Sequence, residues 1–373
     1  MKEIEKIVNR YGQINWEKEQ VALGTVVKVE GSAYRRIGAR MFVSSNGQWI
    51  GGISGGCLEG DALKRAQIAI MKNESSIVVY DTTEDDPHQI GVGLGCNGRI
   101  EVLLTPIDNK DKSNQIEFLE KIINNRTSTI LLQVLNIKGG NSDLRGKFYT
   151  QDSLNDLSKA ISIDLGDIQD KIQKVFYKRK SKVFTLTNEA KYEYEVLFEL
   201  IRPKIKLICI GDNYDVNAFM GIAKELGWEI HVAGKQRKLS KMVYQAAKKV
   251  YSIKEAKNIQ MDEHTAVVLM SHDYKTDLTL LKEYIKIEIP YIGLLGPKKR
   301  LLKMQDELTD EGIEMDLEQL PNLHSPVGLD IGAESPEEIA LAISAEIIAV
   351  FRERDGRFLR KRKGSIHERK ENL

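Results

Sequence analysis

The chain has 373 residues, of which 42% are hydrophobic and 29% charged, with a net charge of +1 and three cysteines. This composition is typical of a globular protein with two domains of ordinary size, and it excludes a general attraction to nucleic acid. No apolar run reaches the roughly 18 residues of a membrane span, the N-terminus lacks a signal-peptide pattern, and an odd cysteine count argues against disulfides, so we expect a cytoplasmic protein with no membrane partner.

The first half of the chain, residues 1–202, is predicted to form a mixed α/β domain. An amphipathic helix opens it, and further helices are predicted directly after Cys57 and at 115–124. The predicted strands lie at 21–29, 40–44, 48–53, 77–81, 99–104 and 128–137, with Asn46-Gly47 as a hairpin turn and the fifth strand ending before Pro106. Beyond about residue 140 the pattern defines no elements, and residues 171–182 are rich in lysine.

Two glycine-rich loops in this half, at 51–61 and 91–99, each carry a cysteine. Glycine lets backbone amides approach a ligand, and a cysteine adds a nucleophile or a soft metal ligand. Cys57 falls at or just before a helix N-terminus, where free N–H groups favour anions and lower the pKa of a thiol. Core packing is the alternative for a free cysteine, and we prefer it for Cys209, inside the apolar run 205–210.

From Pro203 the pattern changes to regular βα alternation, which predicts a Rossmann-like domain with a mainly parallel sheet over 203–355, followed by a basic tail at 356–373. Strands are predicted at 204–210, 229–233, 265–270 and 291–295. Helices are predicted at 216–226, at 278–286, from about 299, and from Pro336 to about 352, the last with a capping box begun by Ser335. The tail is a solvated terminus or a docking segment for a protein partner.

The sequence argues against a dinucleotide site in this second half. The turn at 211–216 has one glycine where the dinucleotide fingerprint requires three, and 234–237 has no acidic residue for ribose hydroxyls. NAD(P) is therefore not expected, although Lys235, Arg237 and Lys238 leave an NADP-like or pterin-phosphate ligand open.

Other candidate positions follow predicted strands of this half, where open parallel sheets bind ligands. They are Ser271-His272-Asp273, the segment 293–300 with Gly296, and the segment 324–332 with Asp330. His272 with Asp273 indicates acid–base work, a metal ligand or a hydrogen-bonded structural pair.

Taken together, the motifs resemble those of the XdhC/CoxI family, the xanthine dehydrogenase accessory factors. The matching segments are Gly31-Ser32-Ala33, Arg35-Arg36, Gly38-Ala39-Arg40-Met41, Ser54-Gly55-Gly56-Cys57-Leu58-Glu59-Gly60, Gly93-Leu94-Gly95-Cys96, Gly98-Arg99-Ile100-Glu101-Val102, Ser271-His272-Asp273, Tyr291 to Gly296 and Pro326 to Ala340. They follow the family's order in both halves and leave roughly 108–203 unmatched.

The resemblance implies a protein that binds molybdenum cofactor (molybdopterin) transiently, protects it while a terminal sulfur replaces an oxo ligand, and helps insert it into a xanthine dehydrogenase-type molybdenum hydroxylase. It implies a cysteine desulfurase as sulfur donor, a homodimer, and a chaperone more than a catalyst, with no catalytic residue. The expected cofactor-binding residues are Ser54, Gly55, Gly56, Cys57, Glu59, Gly95, Cys96, Arg99, His272, Asp273, Gly296 and Asp330, with Cys57 and Cys96 also as metal ligands.

The chain departs from the family pattern at Tyr34, where proline is usual, at Asn97, where glycine is usual, and at Ser271, where threonine is usual. The turn at 211–216 and the segment 234–237 depart further from that pattern. Two other functions stay open at this stage. One is an NAD(P)-dependent oxidoreductase, which the fold would suit, and the other is a thiol-based regulatory protein without a cofactor.

Overall fold

The computed structural model describes residues 1–31, 33–81 and 98–362. These residues divide into two compact units, Met1–Pro203 and Lys204–Arg362. Within the described residues, no helix is both long and apolar enough to cross a membrane.

The first unit contains two antiparallel sheets. Its helices are α1 (Lys2–Tyr11), α2 (Glu59–Lys72), α3 (Gln115–Ile123), α4 (Leu154–Ile161) and α5 (Leu165–Lys178). Its strands are β1 (Val21–Gly31), β2 (Arg40–Ser44), β3 (Trp49–Gly51), β4 (Ser76–Asp81), β5 (Gly98–Ile107), β6 (Thr129–Lys138), β7 (Phe148–Tyr149), β8 (Lys182–Thr187) and β9 (Glu193–Ile201). The first sheet has the order β3-β2-β1-β5-β4 and the second the order β7-β6-β9-β8.

Alternation along the strands of the first sheet decides which helix covers each face. Ala22 packs in the same cluster as Ala62 and Ala66 of α2, whereas its neighbour Leu23 packs with Ile7 of α1 and with α3. Successive side chains of a strand point to opposite faces, so the sheet is buried on both sides.

The antiparallel pairing also brings several chain connections to one end of this sheet. Strands β1, β3 and β4 end there, and β2 and β5 begin there, because each is antiparallel to its neighbours. The loop from Gly52 to Leu58 leaves β3 at this end, and we call this edge the loop end of the first sheet.

Two features of the first unit differ from the sequence-based prediction. Strand β5 continues through Pro106 to Ile107, whereas the prediction ended it before Pro106. Pairing with β4 stops at Leu104, so Pro106 has only β1 beside it, where a missing N–H is tolerated. The poorly defined region beyond residue 140 contains α4, α5 and the rest of the second sheet, and its lysine-rich stretch overlaps α5, which buries Ile168, Ile172 and Val175.

The second unit is the predicted Rossmann-like α/β domain. Its helices are α6 (Tyr214–Leu226), α7 (Lys241–Ala246), α8 (Tyr274–Tyr284), α9 (Lys298–Asp310) and α10 (Pro336–Phe351). Its strands are β10 (Lys206–Ile210), β11 (Glu229–Ala233), β12 (Lys249–Tyr251), β13 (Thr265–Leu269), β14 (Tyr291–Leu294) and β15 (Leu323–His324).

These strands form one parallel sheet in the order β12-β11-β10-β13-β14-β15. Helices α6 and α10 share a core cluster on one face, and α8 and α9 share the cluster on the other face. The order reverses between β10 and β13, and ligands of such sheets bind at the carboxyl ends of the strands beside this switch point.

Candidate functional site

The loop before α2 is organised by the hydroxyl of Ser54. Its oxygen accepts hydrogen bonds from the backbone amides of Gly56 at 3.2 Å, Cys57 at 3.2 Å and Leu58 at 3.1 Å. The hydroxyl in turn donates to the Glu59 carboxylate at 2.5 Å. The amides that the sequence predicted to receive an anion are thus already used by the protein's own serine.

Glu59 fixes the beginning of the same loop. Its Oε1 atom accepts from the amides of Ile53 at 3.1 Å and Ser54 at 2.8 Å. Burial alone would raise the pKa of this carboxyl group, but the hydrogen bonds from Ser54 and the backbone outweigh burial and lower it. Ser54 and Glu59 therefore act together as a rigid support for the segment that carries Cys57.

Cys57 itself is exposed and lies directly before Leu58, the residue that caps α2. The sequence pattern placed it at or just before this helix start, and the structure confirms that position. Next to it, the ring of Tyr34 from the loop between β1 and β2 lies against Gly55. Asp61 in the first turn of α2 accepts hydrogen bonds from Tyr80 at 2.9 Å and Arg65 at 2.5 Å, which joins α2 to the end of β4.

The remaining candidates of the first unit are Gly95, Cys96 and Arg99. Gly95 and Cys96 lie outside the described residues. Arg99, at the loop end of the first sheet, lies among Glu101 at 2.8 Å, Glu30 at 3.2 Å and Asp81 at 3.9 Å. Three carboxylates around one guanidinium compensate its charge, so an anionic ligand would compete with them for Arg99.

We expect Glu59→Gln to lower the free energy of unfolding of the first unit by about 1–3 kcal/mol, because the partly buried hydroxyl of Ser54 and the amides of Ile53 and Ser54 lose their charged acceptor. Since the folded-state pKa of Glu59 is lowered, its contribution is present above the unfolded value of about 4.3 and is lost as pH falls through the folded pKa. Thermal unfolding between pH 3 and 6 measures this difference. The exposed Glu74→Gln is the control, and equal pH profiles for wild type and Glu59→Gln would contradict the assignment.

In the second unit, side chains bridge the switch point between β10 and β13. Asn213 donates to the carbonyl oxygen of Met270 at 2.6 Å and caps α6 through Val216. His272 lies 3.0 Å from Asp215 through its Nε2 atom. Both contacts join the start of α6 to the segment after β13.

His272 pairs with Asp215, whereas its sequence neighbour Asp273 makes a different contact. Asp273 caps α8 by accepting from the amide of Thr276 at 2.8 Å, and hydrogen bonds from that residue lower the pKa of the carboxyl. His272 has φ of 57°, a backbone conformation that non-glycine residues rarely adopt outside constrained sites.

The basic residues after β11 are partly compensated. Asp212 accepts from the amide of Lys235 at 2.9 Å and lies 3.6 Å from the ammonium group of Lys238. With Asn213 as the cap and Asp215 in the first turn, the N-terminus of α6 is occupied by groups that a pyrophosphate would have to displace.

An ion pair between the buried Asp277 and the partly buried Arg300 supports the loop that carries His272. Asp277 of α8 accepts from the hydroxyl of Ser271 at 2.6 Å and from Arg300 of α9 at 2.7 Å. Burial raises the pKa of Asp277 even though Ser271 and Arg300 act in the other direction. Gly296 has φ of +135°, and a Cβ there would lie 2.7 Å from the Arg300 side chain, so the glycine leaves space for this pair.

Comparison with known proteins identifies the group to which both units belong. The sequence model of the XdhC Rossmann domain matches residues 207–347, and that of the XdhC and CoxI family matches residues 16–81. The chain belongs to the XdhC and CoxI family. The second match includes the Ser54–Glu59 loop, and the first spans the sheet from β10 to the helix α10.

Full-length relatives of this family carry related descriptions. A protein of Bacillus subtilis described as a probable xanthine dehydrogenase subunit is 27% identical over 338 residues, covering 89% of this chain and 93% of the relative. The molybdenum cofactor insertion chaperone PaoD of Escherichia coli is 24% identical over 328 residues, covering 88% and 82%. A Bacillus halodurans crystal structure described as a xanthine dehydrogenase has a TM-score of 0.68 at 25% identity, covering 95% of this chain and 96% of that chain.

Several residues of this family member matter in ways that its motifs do not indicate. Asp215 contacts His272, and Asp277 with Arg300 supports the neighbouring Ser271; Asp215 and Asp277 are single charges within helices, whereas Arg300 ends the basic run 298–300. His324, at a predicted strand end, stacks on Tyr291 with ring centroids 4.5 Å apart beside Glu346, which accepts from Tyr291 at 2.6 Å. This cluster joins β14 and β15 to α10.

The remaining predictions concern metal ligation, the burial of Cys209 and the position of Asp330. Within residues 1–31, 33–81 and 98–362, no group of three or more His, Cys, Asp or Glu side chains is arranged to hold a metal ion. Cys209 is fully buried in the core, as predicted, and burial raises the pKa of its thiol. Asp330 is exposed in the loop before α10.

Proposed function

We propose that this chain binds molybdenum cofactor as cargo, protects it while a terminal sulfur replaces an oxo ligand, and assists its insertion into a xanthine dehydrogenase-type molybdenum hydroxylase. The cofactor is bound transiently, a cysteine desulfurase supplies the sulfur, and the protein acts as a homodimer. Membership of the family and the description of PaoD as an insertion chaperone support this function.

The observation that carries the proposal is the presentation of Cys57. Its thiol is exposed at the start of α2, on a loop fixed by Ser54 and Glu59. A thiolate is a suitable soft ligand for a transition metal such as molybdenum, and a rigid support reduces the entropy lost when a ligand is bound. Because the amides of Gly56, Cys57 and Leu58 already share the Ser54 hydroxyl as acceptor, the role assigned to this loop is to present the thiol.

The second unit takes part through the carboxyl edge of its sheet. The geometry favours His272 as the group offered to a ligand, since it is exposed and held across the switch point by Asp215. Asp273 contributes by capping α8, and Gly296 by leaving space for Arg300. The capped N-terminus of α6 and its acidic first turn favour this role over dinucleotide binding.

We expect Cys57→Ala to weaken retention of molybdenum cofactor by about tenfold or more, because the thiolate ligand is lost. Anaerobic equilibrium filtration, with bound pterin quantified by fluorescence after oxidation, measures the affinity. Cys209→Ala is the matched control, because it removes a thiol that is buried in the second unit and should leave retention unchanged. The sequence-based expectation for Cys96→Ala is a smaller loss than for Cys57→Ala.

Three outcomes of this experiment discriminate among the functions. Binding by wild type that is lost in Cys57→Ala supports cargo binding with Cys57 as the anchor. Equal retention by both proteins removes that role from Cys57 and leaves cofactor binding intact. Absence of binding by wild type contradicts the proposed function and returns the regulatory and dinucleotide-dependent functions to consideration.

A further inference from the structure

Tyr34 is exposed to 72% although it lies in a loop that is anchored to the rest of the first unit. Its neighbour Arg35 forms an ion pair with Glu3 of α1, and the same carboxylate accepts from the amide of Arg40 at 3.0 Å. The amide of Gly38 donates to Val26 of β1 at 2.8 Å. The loop is therefore fixed directly after an aromatic side chain that is left largely open to solvent.

The ring of Tyr34 has one face against Gly55, while the residue as a whole is 72% exposed. A Cβ built on Gly55 would lie 3.5 Å from Cγ, 3.5 Å from Cδ1 and 3.7 Å from Cδ2 of Tyr34. A point almost equidistant from these three adjacent atoms lies above the ring plane, so the Gly55 backbone covers one face. The exposed thiol of Cys57 belongs to the same loop, two residues further along the chain.

An aromatic face held open on a fixed loop suits a planar heteroaromatic ring. Offset stacking of aromatic rings contributes beyond the area it buries, and stacking on a side chain is tolerant of the exact ring. A preorganised loop loses little conformational entropy when such a ring binds. Exposed tyrosine rings are common on protein surfaces, but here the ring lies against Gly55 of the loop that carries the thiol used in the proposed function.

We propose that Tyr34 is the stacking platform for the planar pterin ring of the cargo, with Cys57 on the same loop cluster serving its metal end. The proposal rests on the proposed function, because it names the part of the cofactor that this loop recognises. It is a property of this chain, since the family usually has proline at this position.

The test is a series of variants at Tyr34 in the full chain, measured by the same anaerobic filtration with molybdenum cofactor. We expect Tyr34→Phe and Tyr34→Trp to retain the cofactor as wild type does, and Tyr34→Leu and Tyr34→Ala to bind it about threefold to tenfold more weakly. Leucine keeps apolar bulk without an aromatic face, so the difference between the Phe and Leu variants isolates stacking. Tyr177→Ala on α5 is the matched control, because Tyr177 is exposed to 81% in the same unit.

The outcomes separate this proposal from the one it rests on. If wild type binds and the Leu and Ala variants bind equally well, stacking by Tyr34 is wrong and the proposed function stands. If wild type does not bind, both are wrong. A loss in Tyr34→Ala that Tyr34→Leu does not share assigns the effect to apolar contact and also contradicts stacking. Circular dichroism of each variant excludes misfolding as the cause, and because the side chain is exposed we expect all of them to fold.

Discussion

Replacing Glu199 with alanine should lower the free energy of unfolding of the first unit by about 3–5 kcal/mol. Glu199 of β9 binds Arg40 of β2 through two hydrogen bonds, Nη1 to Oε1 at 3.0 Å and Nη2 to Oε2 at 2.6 Å. The side chains are 1% and 7% exposed, so removing the carboxylate leaves a guanidinium buried without a counter-charge. Thermal and urea unfolding of the purified chain measure the loss.

The exposed pair Lys138 and Glu193 on the second sheet is the control for this prediction. Its atoms are 2.7 Å apart, yet water competes for both charges, and Lys138→Ala should not change stability measurably. The double variant Arg40→Met with Glu199→Met should recover most of the loss, because two apolar side chains carry no desolvation penalty. A single Glu199→Ala variant as stable as wild type would show that the pair does not join the two sheets.

Asp277→Ala should lower the stability of the second unit by about 3–5 kcal/mol and release the loop that carries His272. The carboxylate is 1% exposed and is the shared acceptor for Ser271 and Arg300, so its removal leaves a partly buried hydroxyl and a partly buried guanidinium without their acceptor. Thermal unfolding measures the first effect. Amide hydrogen exchange measures the second, and we expect faster exchange at residues 270–274 than in wild type.

The control for Asp277 lies on the same helix. Glu283 pairs with Lys286 at the exposed end of α8, and Glu283→Ala should change stability by less than about 0.5 kcal/mol. Desolvation of the buried Asp277 carboxylate is costly and raises its pKa. The double variant Asp277→Leu with Arg300→Met, which has no buried charge at this site, should therefore be more stable than Asp277→Ala alone. Unchanged exchange at residues 270–274 in Asp277→Ala would refute its control over His272.

Local patterns in the sequence were sufficient for much of the fold. The alternation of buried strands and amphipathic helices from Lys206 onward predicted the parallel sheet, and Ser335 with Glu338 forms the expected capping box. The small strands β7, β12 and β15 were not predicted, because two or three residues do not establish a period. Strand β9, which carries Glu199, was missed because its pattern mixes charged residues with apolar ones.

The candidate site was predictable in position but not in contacts. The spacing of the glycines and the helix pattern placed Cys57 at the start of α2, where the structure has it. The sequence also predicted free amides for an anion in that loop, whereas Ser54 accepts from three of them. The Ser54 hydroxyl donates to Glu59 in this position, and nothing in the spacing alone indicated that pairing.

The sequence by itself determined the two fold patterns, the family and the presence of a thiol beside glycines, because these depend on residue type and on periods that repeat within one element. Only the tertiary structure decided that His272 pairs with Asp215 instead of Asp273, that Arg40 meets Glu199, and that Tyr34 covers Gly55. These contacts join residues separated by 21 to 159 positions along the chain. Such pairings depend on how strands and helices are arranged in space. The local pattern of each element does not indicate which distant side chain will pair with a buried charge or pack against a backbone segment.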